Sequence, residues 1–291
     1  MGFTRFAQND LARLSYELSP ADHPDVDPAL VPAVALLHAT LADRASLAPL
    51  RDTLLDQVTL VQPDARGHGG SAALTDRSFT VTDMANDLYA VLEAAGLLGA
   101  DTPPVHLIGH GQGAIAALEL ARRRPDLVAS LVLIEPDAPS LLDGELDGQI
   151  VLWREEARMT GRQAADAAYK GLTEAALSGY LDRRWGTDWR TRLSKPRLAA
   201  VRRHAAALAP SLDALDRYYL LPEELAAIAV PTLVVVAAES PAAERAIARR
   251  LADAMPTATF RAVTSLPGGA PFSGNGEVAL AIVVDWLNEH A

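Results

Sequence analysis

Val105–Ala114, reading VHLIGHGQGA, carries a short apolar strand straight into Gly-His-Gly-Gln-Gly and on into the alanine-rich run Ile115–Arg123. A chain that turns this sharply from strand to helix needs small residues, because side chains at Gly109 and Gly113 would collide with neighbouring backbone. Gly111 falls at the tip of that turn.

Working outward, Ala33–Thr40 reads AVALLHAT, Val61–Ser71 reads VQPDARGHGGS, Pro231–Pro241 reads PTLVVVAAESP and Leu266–Phe272 reads LPGGAPF. Together with the turn at Gly111 these stretches resemble the α/β-hydrolase superfamily over nearly the whole chain. The first is similar to the buried strand that ends in the family's His-Gly oxyanion loop, with Ala39 where glycine is usual. The second is similar to the Asp-x-Arg-Gly-His-Gly-x-Ser segment after the next strand. The third is similar to the late strand whose following loop carries the catalytic acid, and the last to the Pro-Gly-x-Gly-His-Phe loop. The resemblance implies an α/β-hydrolase fold: a mostly parallel twisted sheet, helices on both faces, and an inserted helical lid. It divides the chain into a core of residues 1–137 and 226–291 and a lid of residues 138–225.

Position by position, the same resemblance makes Gly111–Gln112 the nucleophile elbow. In the G-x-S-x-G pattern a serine occupies the tip and the next backbone N–H faces the developing oxyanion. Here Gly111 stands at the serine position, Ser240 at the acid position and Pro271 at the base histidine position. Glycine has no nucleophile, proline has no proton to exchange, and a serine hydroxyl does not stabilise an imidazolium. The resemblance therefore implies a degenerate triad. It leaves the oxyanion donors in place, because these are the backbone N–H groups of Thr40 and Gln112.

The bulk properties set outer limits. A chain of 291 residues with 49% hydrophobic content is long enough for one large α/β domain with an insertion. A formal charge of −11 argues against nucleic acid as a partner. With no cysteine there are no disulfides, thiolate nucleophiles or Cys-ligated metals. No apolar run reaches the length of a membrane span, and the N-terminal MGFTRFAQND does not read as a signal peptide, so the expected location is cytoplasmic. No cofactor or metal is expected, since no pair among the seven histidines has metal-ligand spacing on a predicted helix.

Along the chain, Phe3–Leu18 reads as one or two edge strands with a turn at Asn9–Asp10, and Ser19–Pro32, which holds His23, reads as a proline-rich surface loop. Helices are expected over Ser46–Leu55, Thr80–Gly96 (capped by Thr82), Pro241–Met255 and Gly276–His290. Strands are expected over Asp56–Pro63, Leu127–Ile134 and Thr259–Val263, and helix alone over Leu141–Leu225.

Several side chains are candidates for chemistry. His38 and His110 fall beside the elbow and His68 in the Gly-His-Gly turn, where a bracing hydrogen bond competes with a role as base. Asp64, Glu135, Asp137 and Glu239 fall at the carboxyl ends of strands. A half-buried Glu135 would have a raised pKa suited to proton transfer; its alternative is a cap or a salt bridge to a lid arginine. Arg183–Arg203 holds eight basic residues against Asp188 alone, a solvated helix face or an attractor for an anionic ligand or an acidic partner chain.

Three functions remain open. The chain binds an apolar or anionic small molecule in a lidded, mostly apolar pocket, or acts as a partner in a homo- or hetero-oligomer, without hydrolysing anything. Alternatively it is a lyase, isomerase or cyclase that reuses the oxyanion hole with Glu135, His110 or Gln112 as polar contacts. The third reading is an esterase-like hydrolase with displaced residues such as Ser71 or Ser273.

Overall fold

The computed structural model describes residues 3–9, 12–21, 31–71, 78–144, 146–264 and 276–290. Most of the loop expected at Ser19–Pro32, with His23, lies outside the described residues, as do Leu266–Phe272, with Pro271, and Ser273. Eight strands form one sheet in the order β1-β2-β4-β3-β5-β6-β7-β8. The first two, β1 (Phe3–Gln8) and β2 (Arg13–Ser19), pair antiparallel at one edge, and β2 pairs antiparallel with β4 (Thr59–Pro63). From there β3 (Ala33–Leu37), β5 (Val105–His110), β6 (Val128–Ile134), β7 (Thr232–Ala237) and β8 (Ala258–Val263) continue parallel. Strands buried on both faces read as apolar runs, which is why TLVVVA of β7 and the LVLI end of β6 show no polar alternation.

Each strand sends alternate side chains to opposite layers. Ala35 and Leu37 pack with α2 (Val81–Ala94), α3 (Gln112–Arg123) and α10 (Ala242–Ala254) on one face. Val34 and Leu36 pack with α1 (Ala48–Leu54) and α11 (Glu277–His290) on the other. The cap of α2 differs from expectation. Thr80, not Thr82, closes a capping box with Asp83, while the Thr82 hydroxyl donates to Glu119 Oε1 at 3.1 Å. Asp83 is the acidic residue at the third helical position, and it fixes where the helix starts.

Between β6 and β7 the described residues hold helices and no strand: α4 (Gly148–Tyr169), α5 (Thr173–Trp185), α6 (Trp189–Arg192), α7 (Lys195–Arg203), α8 (Ala205–Asp216) and α9 (Pro222–Ala226). This segment has its own small core of Leu177, Leu181, Trp189, Val201 and Leu208. Leu41, fully buried, reaches into it from the loop after β3. Among the described residues, no helix is long and apolar enough to cross a membrane.

Three buried histidines join these layers. The Nδ1–H of His38 donates to Ala39 O at 2.8 Å, and its Nε2 accepts from Ala65 N–H at 2.9 Å. His68 accepts from Leu41 N–H at 3.2 Å and donates to Arg66 O at 2.9 Å. His204, from the helical segment, accepts from Gly69 N–H at 3.0 Å. The rings lie 5.3 Å (His38 to His68) and 5.2 Å (His68 to His204) apart. Burial lowers the pKa of all three, His68 most, and brings that of His106 down to about 4. With both ring nitrogens bonded to backbone groups, His38 and His68 act as braces.

Two consequences are measurable. A Cβ on Gly113 would sit 2.6 Å from Leu37 O, whereas one on Gly161 of α4 would meet nothing within 4 Å. Gly113→Ala is expected to destabilise by about 1–3 kcal/mol through overpacking, and Gly161→Ala to be neutral or to stabilise by up to about 1 kcal/mol, both read by thermal denaturation.

The histidines set the second. Below pH 6.5 the unfolded chain protonates these imidazoles while the folded protein resists, so stability complete above that pH is lost as pH falls. At about 1.4 kcal/mol per pKa unit, the shift of His106 from 6.5 to about 4 removes about 3 kcal/mol across that window. Urea unfolding at pH 7.5, 5.5 and 4.5 should show that slope, and His106→Asn should flatten it.

Candidate active site

Backbone packing builds the turn after β5. A Cβ on Gly109 would lie 2.4 Å from Gly113 O, and one on Gly113 would press on Leu37 and His38 carbonyls, so both glycines permit α3 to start directly against β3 and β5. Gly111 sits between them at φ 57° and ψ −119°, its N–H donating to Ile134 O at 2.9 Å. Across from it lies Ala39. A Cβ at position 111 would stand 3.0 Å from the Ala39 methyl, tighter than ordinary van der Waals contact. The tip of the elbow thus carries no side chain, and the residue opposite leaves little room for one.

Beside the tip, three polar side chains form a chain. Glu135 follows β6 with φ 44°, in the left-handed region that a non-glycine residue seldom adopts. Its Oε1 accepts the Ser240 hydroxyl and, at 3.4 Å, the Ala237 N–H, while Oε2 lies 3.8 Å from His110 Nε2. Burial works to raise the Glu135 pKa. His110, Ser240 and Ala237 N–H together outweigh it and hold the carboxyl below the usual glutamate range. The raised pKa expected from burial is therefore corrected: the group is ionised, and its partners come from β5 and the loop after β7, not from an arginine of the helical segment. His110 is buried, and its Nδ1 has no hydrogen-bond partner.

A cavity of about 620 Å³ opens above Gly111. Ala39, Thr40, His110, Glu135 and Ser240 line its floor, and Trp153, Tyr180, Trp185 and Glu156 its walls on the helical segment. The pocket expected to be mostly apolar is charged, since Glu135, Asp137, Glu156, Glu239 and Glu244 share the lining with Arg183, Arg184 and Arg192. Two of those arginines clamp the helical segment to the sheet. Arg184 donates to Asp137 at 2.7 Å and to Glu244 at 2.8 Å, Arg183 donates to Glu244 at 3.0 Å, and the Tyr180 hydroxyl donates to Asp137 at 2.9 Å. Burial and the Asp137 carboxylate drive the Tyr180 pKa upward, so the phenol stays protonated.

The remaining candidates separate. Thr40 reaches the cavity, its Oγ1 buried near the Tyr180 hydroxyl. Gln112 opens α3, so its N–H is one of the amides a helix start leaves unpaired. Its side chain lies instead at a small cavity of about 50 Å³ on the other side of the turn, beside His38. Neither the Gln112 side chain nor His38 lines the large cavity, correcting both as pocket contacts. Ser71 is buried, donating to Asp64 O at 2.6 Å and accepting from Ser15 N–H at 2.9 Å, which excludes it as a displaced nucleophile in this arrangement. Asp64 is occupied by Arg44 N–H at 3.0 Å and Gly70 N–H at 2.9 Å. Among the described residues, no three histidine or carboxylate side chains converge to hold a metal ion. Glu244 was not foreseen; its one legible signal is an acidic residue in the first turn after Pro241.

A match to the model of the alpha/beta hydrolase family runs over residues 22–278. The chain belongs to that family. RutD of Caulobacter sp. (strain K31), named provisionally as a carbamate hydrolase, is 26% identical over 260 residues, covering 84% of this chain and 86% of that protein. The sn-1-specific diacylglycerol lipase ABHD11 of Mus musculus is 32% identical over 124 residues, 42% of this chain, and the match spans only 36% of the mouse protein. The crystal structure of the enol-lactonase from Burkholderia xenovorans LB400 superposes with a TM-score of 0.74 at 20% identity, covering 98% of this chain and 100% of that one. That likeness carries the alpha/beta hydrolase fold and nothing about substrate.

A side chain at the tip of this elbow has a measurable cost. Gly111→Ser places a Cβ against Ala39 at positive φ and is expected to destabilise by about 1–3 kcal/mol. Ala39→Gly in the same chain should recover part of that loss, and a double-mutant cycle on thermal unfolding reads the coupling.

Proposed function

We propose that this alpha/beta hydrolase family member binds a small molecule in the cavity above Gly111, beneath residues 138–225 acting as a lid, and does not hydrolyse esters through a covalent serine. The carrying observation is the glycine at the elbow tip, with the Ala39 methyl facing the space a nucleophile would enter. Ser240, at the position of the triad acid, is engaged by Glu135 instead of an imidazole. In this reading the backbone amides of Thr40 and Gln112 hold a carbonyl or carboxylate oxygen.

A second reading is favoured by the chain Ser240–Glu135–His110 beside Gly111. An ionised carboxylate 3.8 Å from an imidazole whose other nitrogen is unpartnered is an arrangement for moving a proton. Combined with an oxyanion hole it supports lyase, isomerase or cyclase chemistry, or attack by water without an acyl-enzyme. The names of the relatives, a carbamate hydrolase and a lipase, favour a hydrolytic version of that chemistry.

The purified protein, exposed to a fluorophosphonate probe and to short p-nitrophenyl esters, should show no covalent label by intact mass and no turnover above buffer. Turnover without label that is lost in Glu135→Gln would move the assignment to the second reading. Label on any serine would overturn the proposal.

A further inference from the structure

A second cavity of about 660 Å³ lies between the helical segment and the loop and helix after β3. Its volume is within the range of small-molecule sites. The lining reverses the charge balance of the molecule. In a chain of formal charge −11, three guanidinium groups, those of Arg192, Arg197 and Arg203, face a single carboxylate, Asp43. Arg203 meets Asp43 only at 3.7 Å, and Arg192 reaches Asp188 at 3.2 Å. Both guanidiniums are more than half exposed, so an incoming oxyanion competes for them without breaking a buried pair. Trp185, half-buried, adds flat apolar surface to the same cavity.

We propose that this cavity binds an organic oxyanion, its carboxylate or phosphate held among Arg192, Arg197 and Arg203 and its apolar body against Trp185. A guanidinium fork matches the geometry of both groups, and a rigid aromatic wall selects a ligand with a hydrophobic body over a bare inorganic ion. Trp185 and Arg192 also line the cavity above Gly111, so the bound anion lies at the border of that site. The inference is independent of the chemistry at Gly111, since it concerns binding alone.

Titration calorimetry on the full chain with 2-naphthoate, 2-naphthyl phosphate and 2-naphthalenemethanol tests it. Either anion should bind at least tenfold more tightly than the alcohol, with affinity falling as salt rises from 50 to 500 mM. Which anion binds better tells a carboxylate site from a phosphate site. Arg203→Gln, which touches only the second cavity, should weaken the anion at least fivefold, and Arg192→Gln/Arg203→Gln at least tenfold, with thermal unfolding unchanged. Equal affinity for alcohol and anion, no binding at millimolar concentration, or loss in Arg192→Gln but not in Arg203→Gln would each overturn the proposal; the last places the anion in the first cavity.

Discussion

Everything at the carboxyl edge of the sheet depends on how closely α3 approaches β3 and β5. Gly109 and Gly113 let the helix backbone come within van der Waals contact of the strands, with carbonyls of Leu37, His38 and Gly113 where a Cβ would otherwise be. That contact fixes Gly111 at positive φ and holds His110 beside Glu135. Without it, the strand-to-helix turn would widen and the edge would have no defined floor.

The floor is polar, and the polarity is organised by pairing. Arg183 and Arg184 cross from α5 to Asp137 and Glu244, joining the helical segment to the sheet through side chains that are mostly withdrawn from water. Removing one partner from such a cluster strands a buried charge, so these residues are a joint between layers rather than free ligand contacts. The cavity charge left for a ligand therefore comes from Glu135, Glu156 and Arg192 more than from the clamp.

A second joint is neutral. His204 reaches Gly69 from the helical segment, next to His68 and His38, and each ring is uncharged with a backbone N–H on its acceptor nitrogen. Burial keeps the cluster deprotonated, which ties the docking of the helical segment to pH through the imidazoles.

The amino-acid order by itself determined the strands, the sharp turn at Gly111 and the helical stretch after β6, because apolar runs, glycine spacing and helical periodicity are local signals. It also placed Asp64, Glu135, Asp137 and Glu239 at strand ends. The cap at Thr80, the downward shift of Glu135, the brace role of His38 and the turning away of Gln112 were decided only by the fold. So were the Arg184–Glu244 clamp and the separation of basic residues into a cavity of their own. Each of these depends on which side chains meet across tens of residues, and burial or pairing at that meeting outweighs what either residue shows on its own.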